Sequence, residues 1–359
     1  MPAPAPLSPV QAEALRAGTV PPLEEVRHGV WSLTSPATSS VADFSYGYLV
    51  EGSDGRLTLI DPGWPSPDAV DRLDAALHEI DHRLDDVDLI VATHLHVDHL
   101  GAADAVRRAT GARLAMHPAE QRALASRADD AVAADADLVR WQVPAEAQEA
   151  LVASWGSGRL LVDVVPDLLL DDGDELPVAG RRLRAVHTPG HTSGHLCLVE
   201  PEQRLIFTGD HVLPTINPGI GLGGRTAADP LDDVLASLAR VVELDRPGAD
   251  ALEVCPGHEY RFVGLTERAE TLVAHREERT RDALGALDGL LGGAGGADGA
   301  GGHAARRGSS AAPSVWQVAE AMTGWRGGLR SMSGLPLASA LAQTEWHLRA
   351  AGRAGDLAS

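Results

Sequence analysis

The apolar run Val87–Ala92 passes without a break into Thr93-His94-Leu95-His96-Val97-Asp98-His99-Leu100-Gly101. Its length and composition predict a buried strand. Four side chains able to hold a cation follow at once: His94, His96, Asp98 and His99. Such a loop is useful only where a rigid strand delivers it to a sheet rim at which other donors meet it. Three further segments are built the same way. His191 follows Leu183–His187 through Thr188-Pro189-Gly190, Asp210 follows Leu205–Thr208 through Gly209, and His258 follows Leu252–Cys255 through Pro256-Gly257. A chain so arranged must place several strand ends on one side.

Imidazole and carboxylate bind zinc and related divalent ions at about 2.0–2.2 Å. A carboxylate can also bridge two ions. Seven donors divide most simply between two sites, and two cations roughly 3.5–4 Å apart can share a hydroxide whose pKa falls from about 15.7 to about 7. That supplies a nucleophile at neutral pH without Ser or Cys.

Thr93–Gly101 resembles the HxHxDH signature of the metallo-β-lactamase superfamily. Asp61-Pro62-Gly63, Thr188-Pro189-Gly190-His191-Thr192, Thr208-Gly209-Asp210 and Pro256-Gly257-His258 are similar to its other motifs, in the same order, over Val26 to His258. The resemblance implies an α+β fold, the four-layer αββα sandwich. It assigns His94, His96 and His191 to one metal and Asp98, His99 and His258 to the second, with Asp210 bridging. Asp61 would stand behind them and orient a ligand histidine. Asp98 would also be catalytic, holding and steering the attacking hydroxide. The implied cofactor is two divalent metal ions per chain, zinc first, with iron or manganese as alternatives. The second site lacks the Cys of the thiol-using β-lactamases.

Three domains of differing character are expected. Residues 1–22 are rich in Pro and Ala and read as a flexible N-terminus without the basic start and apolar core of a signal peptide. Residues 23–265 form the catalytic domain, alternating strand runs with helices such as Pro67–Ile80 and Leu231–Leu244. Within it, 118–155 is a polar, helix-prone insertion carrying Trp141 and Trp155, which either cover a cleft or pin the insertion to the core. Leu160–Val165 is expected to be a strand. Residues 266–359 contain three helical stretches separated by the Gly/Ala/Ser-rich 292–313, expected to be a disordered loop. His275-Arg276-Glu277-Glu278-Arg279 is similar to the segment that opens the winged-helix domain of some β-lactamase-like proteins.

No stretch approaches the roughly 18 apolar residues of a membrane span. The two cysteines, Cys197 and Cys255, are too few for a disulfide framework, so a cytoplasmic location is expected and both read as apolar strand residues. The net charge is −21, and every one of the 30 basic residues is Arg. Ten Arg and ten acidic residues lie in 266–359, leaving 20 Arg against 41 acids before it. The acidic domain repels a phosphate backbone, which disfavours nucleic acid as a partner. A small-molecule substrate is expected, with no membrane partner and a homodimer as an option. The leading activity is hydrolysis of a thioester or related ester or lactone, as the resemblance to hydroxyacylglutathione hydrolases implies. The alternatives are a single-strand endoribonuclease, for which Arg225 is the visible cleft arginine, and a mononuclear iron persulfide dioxygenase. His187 and His195 read as ordinary strand residues rather than donors behind the ligands, and Tyr260 as a packing residue. His211 stands evenly between pocket and core, and His117 reads as outside the cleft.

Overall fold

The computed structural model describes residues 3–38, 44–155, 164–223, 229–245, 248, 251–293, 312–325 and 327–358, with backbone alone at 127–135, 150, 153–155, 293 and 335. The expectations for residues 160–163, Arg225, most of 292–313 and the Trp155 side chain lie outside what is described. Val164 and Val165, the end of the expected strand, stand in no strand. The chain forms two compact units, residues 1–126 with 159–272 and residues 127–158 with 273–359.

The first unit opens on helix α1 (Pro9–Ala17), which corrects the expectation of a flexible 1–22. Ser8 caps it by accepting from the Gln11 amide at 3.1 Å and donates to Glu24 Oε2 at 2.8 Å. Buried Gln11 accepts from the Arg261 amide at 2.9 Å, and Tyr260 Oη donates to the Pro4 carbonyl at 3.0 Å. Polar contacts with distant residues hold this segment, and composition carries no signal of them.

The larger sheet runs, in order, β1 (Glu24–Arg27), β2 (Val30–Pro36), β3 (Phe44–Glu51), β4 (Leu57–Ile60), β5 (Val87–Val91), β6 (Arg113–Met116) and the short β7 (Leu168–Leu169). The first four strands pair antiparallel and β4 to β7 parallel. The smaller sheet has the order β11 (Glu253–Pro256), β10 (Leu205–Gly209), β9 (Leu196–Glu200), β8 (Arg184–His187). Side chains alternate across the larger sheet as the strand period requires. Tyr48, Val50, Leu89 and Val91 face inward and pack with Ala185, Leu196, Leu198, Phe207 and Cys255 of the smaller sheet. Leu49 and Ile90 face outward, where α2 (Ala69–Glu79), α3 (Val97–Leu100) and α4 (Ala103–Thr110) supply Leu73, Leu77, Leu100 and Val106. α7 (Pro230–Leu244) belongs with the smaller sheet's side, its Ser237 hydroxyl donating to the Pro189 carbonyl at 2.8 Å. The expected sandwich of helices around two packed sheets is present. Both cysteines are buried strand residues and free.

The second unit is helical, with no strand among the described residues. It contains the later part of α5 (Pro118–Arg140), α6 (Ala145–Trp155), the later part of α8 (Leu265–Gly293), α9 (Val315–Ala321) and α10 (Gly334–Ala350). Leu138, Trp141, Val143 and Leu151 pack with Val315, Trp316, Leu337 and Leu341 in one core. Trp141 Nε1 donates to Glu345 Oε2 at 2.7 Å. The division of the chain therefore differs from the expected 23–265 and 266–359. Most of the 118–155 insertion shares a core with the C-terminal helices, and the later boundary falls inside α8 at Leu272/Val273. An uninterrupted helix gives no compositional sign of a boundary within it. No described helix is long and apolar enough to cross a membrane.

Candidate metal centre

Each expected donor lies just past a strand end. β4 hands over Asp61, β5 leads to His94, His96, Asp98 and His99, β8 to His191, β10 to Asp210 and β11 to His258. Their donor atoms gather in two groups. One holds His94, His96, His191 and Asp210, the other Asp98, His99 and His258, with the atoms of each group within 4.8 Å of one another. Asp210 reaches across both: Oδ2 is 3.6 Å from His191 Nε2, and Oδ1 is 3.4 Å from both His99 Nε2 and His258 Nε2.

The outer nitrogen of every ring has a partner that fixes its proton. His191 Nδ1 faces the Gly219 carbonyl at 2.7 Å, His96 Nε2 the Leu222 carbonyl at 3.1 Å and His258 Nδ1 the Phe44 carbonyl at 3.1 Å. A carbonyl only accepts, so these nitrogens carry hydrogen. His99 Nδ1 donates to Asp61 Oδ2 at 2.8 Å. Thr93 donates its hydroxyl to that same oxygen at 2.8 Å, so His94 Nδ1, 3.0 Å away, must donate to Thr93 Oγ1. The inner nitrogens of the neutral rings are consequently all lone pairs. His94 Nε2 and His191 Nε2 each lie 3.0 Å from His96 Nδ1. Three lone pairs converging at that distance repel unless a cation stands among them. In the second group, the buried His99 Nε2 and Asp210 Oδ1 have no hydrogen-bond partner. The donor set fits divalent cations.

Burial holds His94 well below the ordinary imidazole range and brings His191 to about 4. Burial also disfavours charge on His258, but Asp210 and Asp98 outweigh it and raise the ring to about 10. His94 and His191 are thus arranged as neutral donors, and the second group draws positive charge to itself. Gly257 makes the close approach possible, because a Cβ there would meet His99 Cε1 at 2.6 Å and Asp210 Oδ1 at 2.7 Å.

Asp61 is nearly fully buried and touches none of the inner nitrogens. Its Oδ1 accepts from the Thr93 amide at 2.7 Å, while Oδ2 takes His99 and the Thr93 hydroxyl. Its backbone is left-handed, φ 52°, which turns the carboxylate back beneath the β5 loop.

His195 does more than the strand-residue expectation allowed. Its Nε2 accepts from the Asp210 amide at 3.2 Å, and its Nδ1 lies 2.8 Å from Thr188 Oγ1. His187 and His117 stack on each other, centroids 3.9 Å apart, and neither ring belongs to the two donor groups. His211 is buried with neither ring nitrogen hydrogen-bonded. Glu120, in the first turn of α5, had no signal in sequence beyond lying in a polar stretch. It is fully buried, accepts from the Leu95 amide at 2.7 Å and the Gly194 amide at 2.5 Å, and burial pushes its carboxyl up to about 7.

The segment that supplies the Gly219 and Leu222 carbonyls is held from both sides. Glu259 accepts from the Thr215 amide at 2.8 Å, the Thr215 hydroxyl and the Ile216 amide at 3.1 Å. Arg268 donates to the Leu213 and Ile216 carbonyls, each at 2.6 Å. Neither clamp residue was legible as functional, because both act on backbone 43 to 55 residues away in sequence.

Residues 41–258 match the family model described as the Metallo-beta-lactamase superfamily. The chain is 32% identical over 171 residues to the acyl-coenzyme A thioesterase MBLAC2 of Bos taurus, covering 47% of this chain and 55% of that protein. It is 31% identical over 120 residues to the atrochrysone carboxyl ACP thioesterase of Aspergillus fumigatus, covering 33% and 34%. The chain therefore spans about half the length, or less, of these curated relatives. A metallo-beta-lactamase family protein from Thermus thermophilus superposes with a TM-score of 0.68 at 27% identity, over 91% of this chain and 95% of that one. A beta-lactamase domain protein from Burkholderia ambifaria, 22% identical, shares the fold with a TM-score of 0.65 over 94% and 90%. With two packed sheets, donors at their strand ends and a family match over most of the first unit, the chain belongs to the metallo-beta-lactamase superfamily.

Proposed function

We propose that this protein is a hydrolase with a two-cation centre, acting on a thioester or a related ester or lactone of a small molecule. The observation that carries it is the convergence of five imidazoles, each committed on its far side, with the carboxylates of Asp98 and Asp210. His94, His96 and His191 would hold one ion, Asp98, His99 and His258 the other, and Asp210 would bridge them. Two divalent ions held there, zinc in the first instance, would bring the pKa of water into the neutral range and polarise a carbonyl oxygen.

The protein's own groups do the remaining work. Asp98 Oδ2 lies 3.2 Å from His258 Nε2 and only part of the residue is exposed, so this carboxylate can accept and steer a proton at the centre. Asp61 keeps the His99 ring and the β5 loop in place. A leaving thiolate needs no strong acid, and a thioester demands no proton donor beyond these residues. The thioesterases among the relatives support this substrate class. The helical second unit, winged-helix-like by the resemblance of 275–279, is assigned a structural role. Its 14 acidic residues against 11 Arg do not suit phosphate neutralisation.

The test is a panel of acyl-CoA, acylglutathione and lactone substrates, assayed on protein whose bound metals have been measured. Turnover of at least one thioester, lost in Asp210→Ala, is expected. Activity on none of them with metal restored overturns the assignment. About one iron per chain with oxygen uptake would favour a dioxygenase.

A further inference from the structure

Glu120 is a carboxylate with no exposed surface, and among the described residues no ion pair reaches it. Burying an unpaired acid is costly. What it does in return is join two loops. Oε2 accepts from the amide of Leu95, between His94 and His96, and Oε1 accepts from the amide of Gly194, three residues past His191. A glutamine has one acceptor oxygen, and its amide nitrogen would confront one of these N–H groups. Two separate N–H donors therefore require a carboxylate. Gly194 supplies an independent sign of the same fit: a Cβ there would meet the Glu120 amide nitrogen at 2.7 Å and Oε1 at 2.8 Å.

Both loops feed the first donor group. The β5 loop brings His94 and His96, and the loop after β8 brings His191, whose Nε2 is 3.0 Å from His96 Nδ1. We infer that Glu120 is the positioning residue of the first cation site, setting the separation of its two halves by joining their backbones. It touches neither ion nor substrate. The second site draws its donors from α3, which follows His96 directly, and from the β11 end, which the tie does not reach. The inference rests on the two-cation reading above.

The experiment reads zinc affinity by competition with a chromophoric chelator, one site at a time. His258→Ala leaves the first group intact, and His96→Ala leaves the second. Adding Glu120→Gln to the His258→Ala background should weaken zinc binding about 10- to 100-fold, while in the His96→Ala background it should change by less than about threefold. Gly194→Ala should give the same selectivity by forcing the carboxylate away. The metal-free unfolding midpoint of each variant is measured alongside. Equal weakening at both sites, no weakening at either, or failure of both variants to fold would make Glu120 a general fold determinant and overturn the inference. Wild-type protein that binds no zinc would bring down the two-cation reading as well. Wild-type protein that binds two ions, and keeps both affinities with Glu120→Gln, would bring down the inference alone.

Discussion

At the residue scale, the centre is governed by which nitrogen of each ring is already spoken for. A histidine anchored through one nitrogen has a fixed tautomer and a fixed aim, so the outer partners decide the donor geometry. Asp61 is the sharpest case. It receives three donors, the Thr93 amide, the Thr93 hydroxyl and His99 Nδ1–H. Asp61→Asn removes one acceptor oxygen and turns an NH2 toward those donors. Zinc affinity at the site that includes His99 should fall about 10- to 100-fold by chelator competition. An unchanged affinity would mean that the ring is held by packing alone. Asp61 was legible in sequence only through the family resemblance, since a turn-forming Asp-Pro-Gly otherwise explains itself. His195, Glu120 and Glu259 were not legible, because each acts by a backbone contact made elsewhere in the chain.

At the scale of elements, local chemistry set the helices and strands, and pairing set their ends. Ser314 illustrates a local rule. Its hydroxyl accepts from the Gln317 amide at 3.2 Å while the Gln317 side chain takes the Ser314 amide at 2.8 Å, a reciprocal cap for α9. Ser314→Ala should destabilise the helical unit by about 1 kcal/mol in urea unfolding. No measurable loss would show that the core around Trp316 carries α9 unaided. β7, two residues long, carries no sequence pattern of its own, because its pairing with β6 defines it. On α10, burial lowers His347 to about 3, and Arg276, Arg279 and His275 push the same way. The folded pKa lies below the unfolded value of about 6.5. Its contribution to stability is full above about 6.5 and is lost as pH falls toward 3. The wild-type thermal midpoint should therefore drop more steeply than that of His347→Gln between pH 6.5 and 4. Parallel curves would contradict the assignment.

At the scale of the whole molecule, charge and core distribution are the informative quantities. The net −21 arises before residue 266, as 41 acids against 20 Arg. Long-range repulsion of a polyanion follows. Single-stranded RNA at physiological ionic strength should be neither shifted in a gel nor cleaved. RNA cleavage that disappears in Asp210→Ala would reverse the choice of electrophile. The two-unit organisation was only half legible. The sequence points to helices in 118–155 and in three stretches of 266–359, yet nothing in either segment says that Trp141 shares a core with Trp316 and Leu341.

By itself, the sequence determined the donor types, their place after strand runs and the alternating layers that bring strand ends together. These follow from local rules: apolar periodicity, turn residues, and the chemistry of imidazole and carboxylate. The tertiary structure decided which nitrogen of each ring faces inward. It also joined Glu120 to two loops and drew part of α5 into the helical unit. Those outcomes depend on contacts between residues tens to more than two hundred positions apart, such as His258 Nδ1 with the Phe44 carbonyl. A local pattern carries no record of such partners. Only the closed fold, in which every buried donor must find an acceptor, selects them.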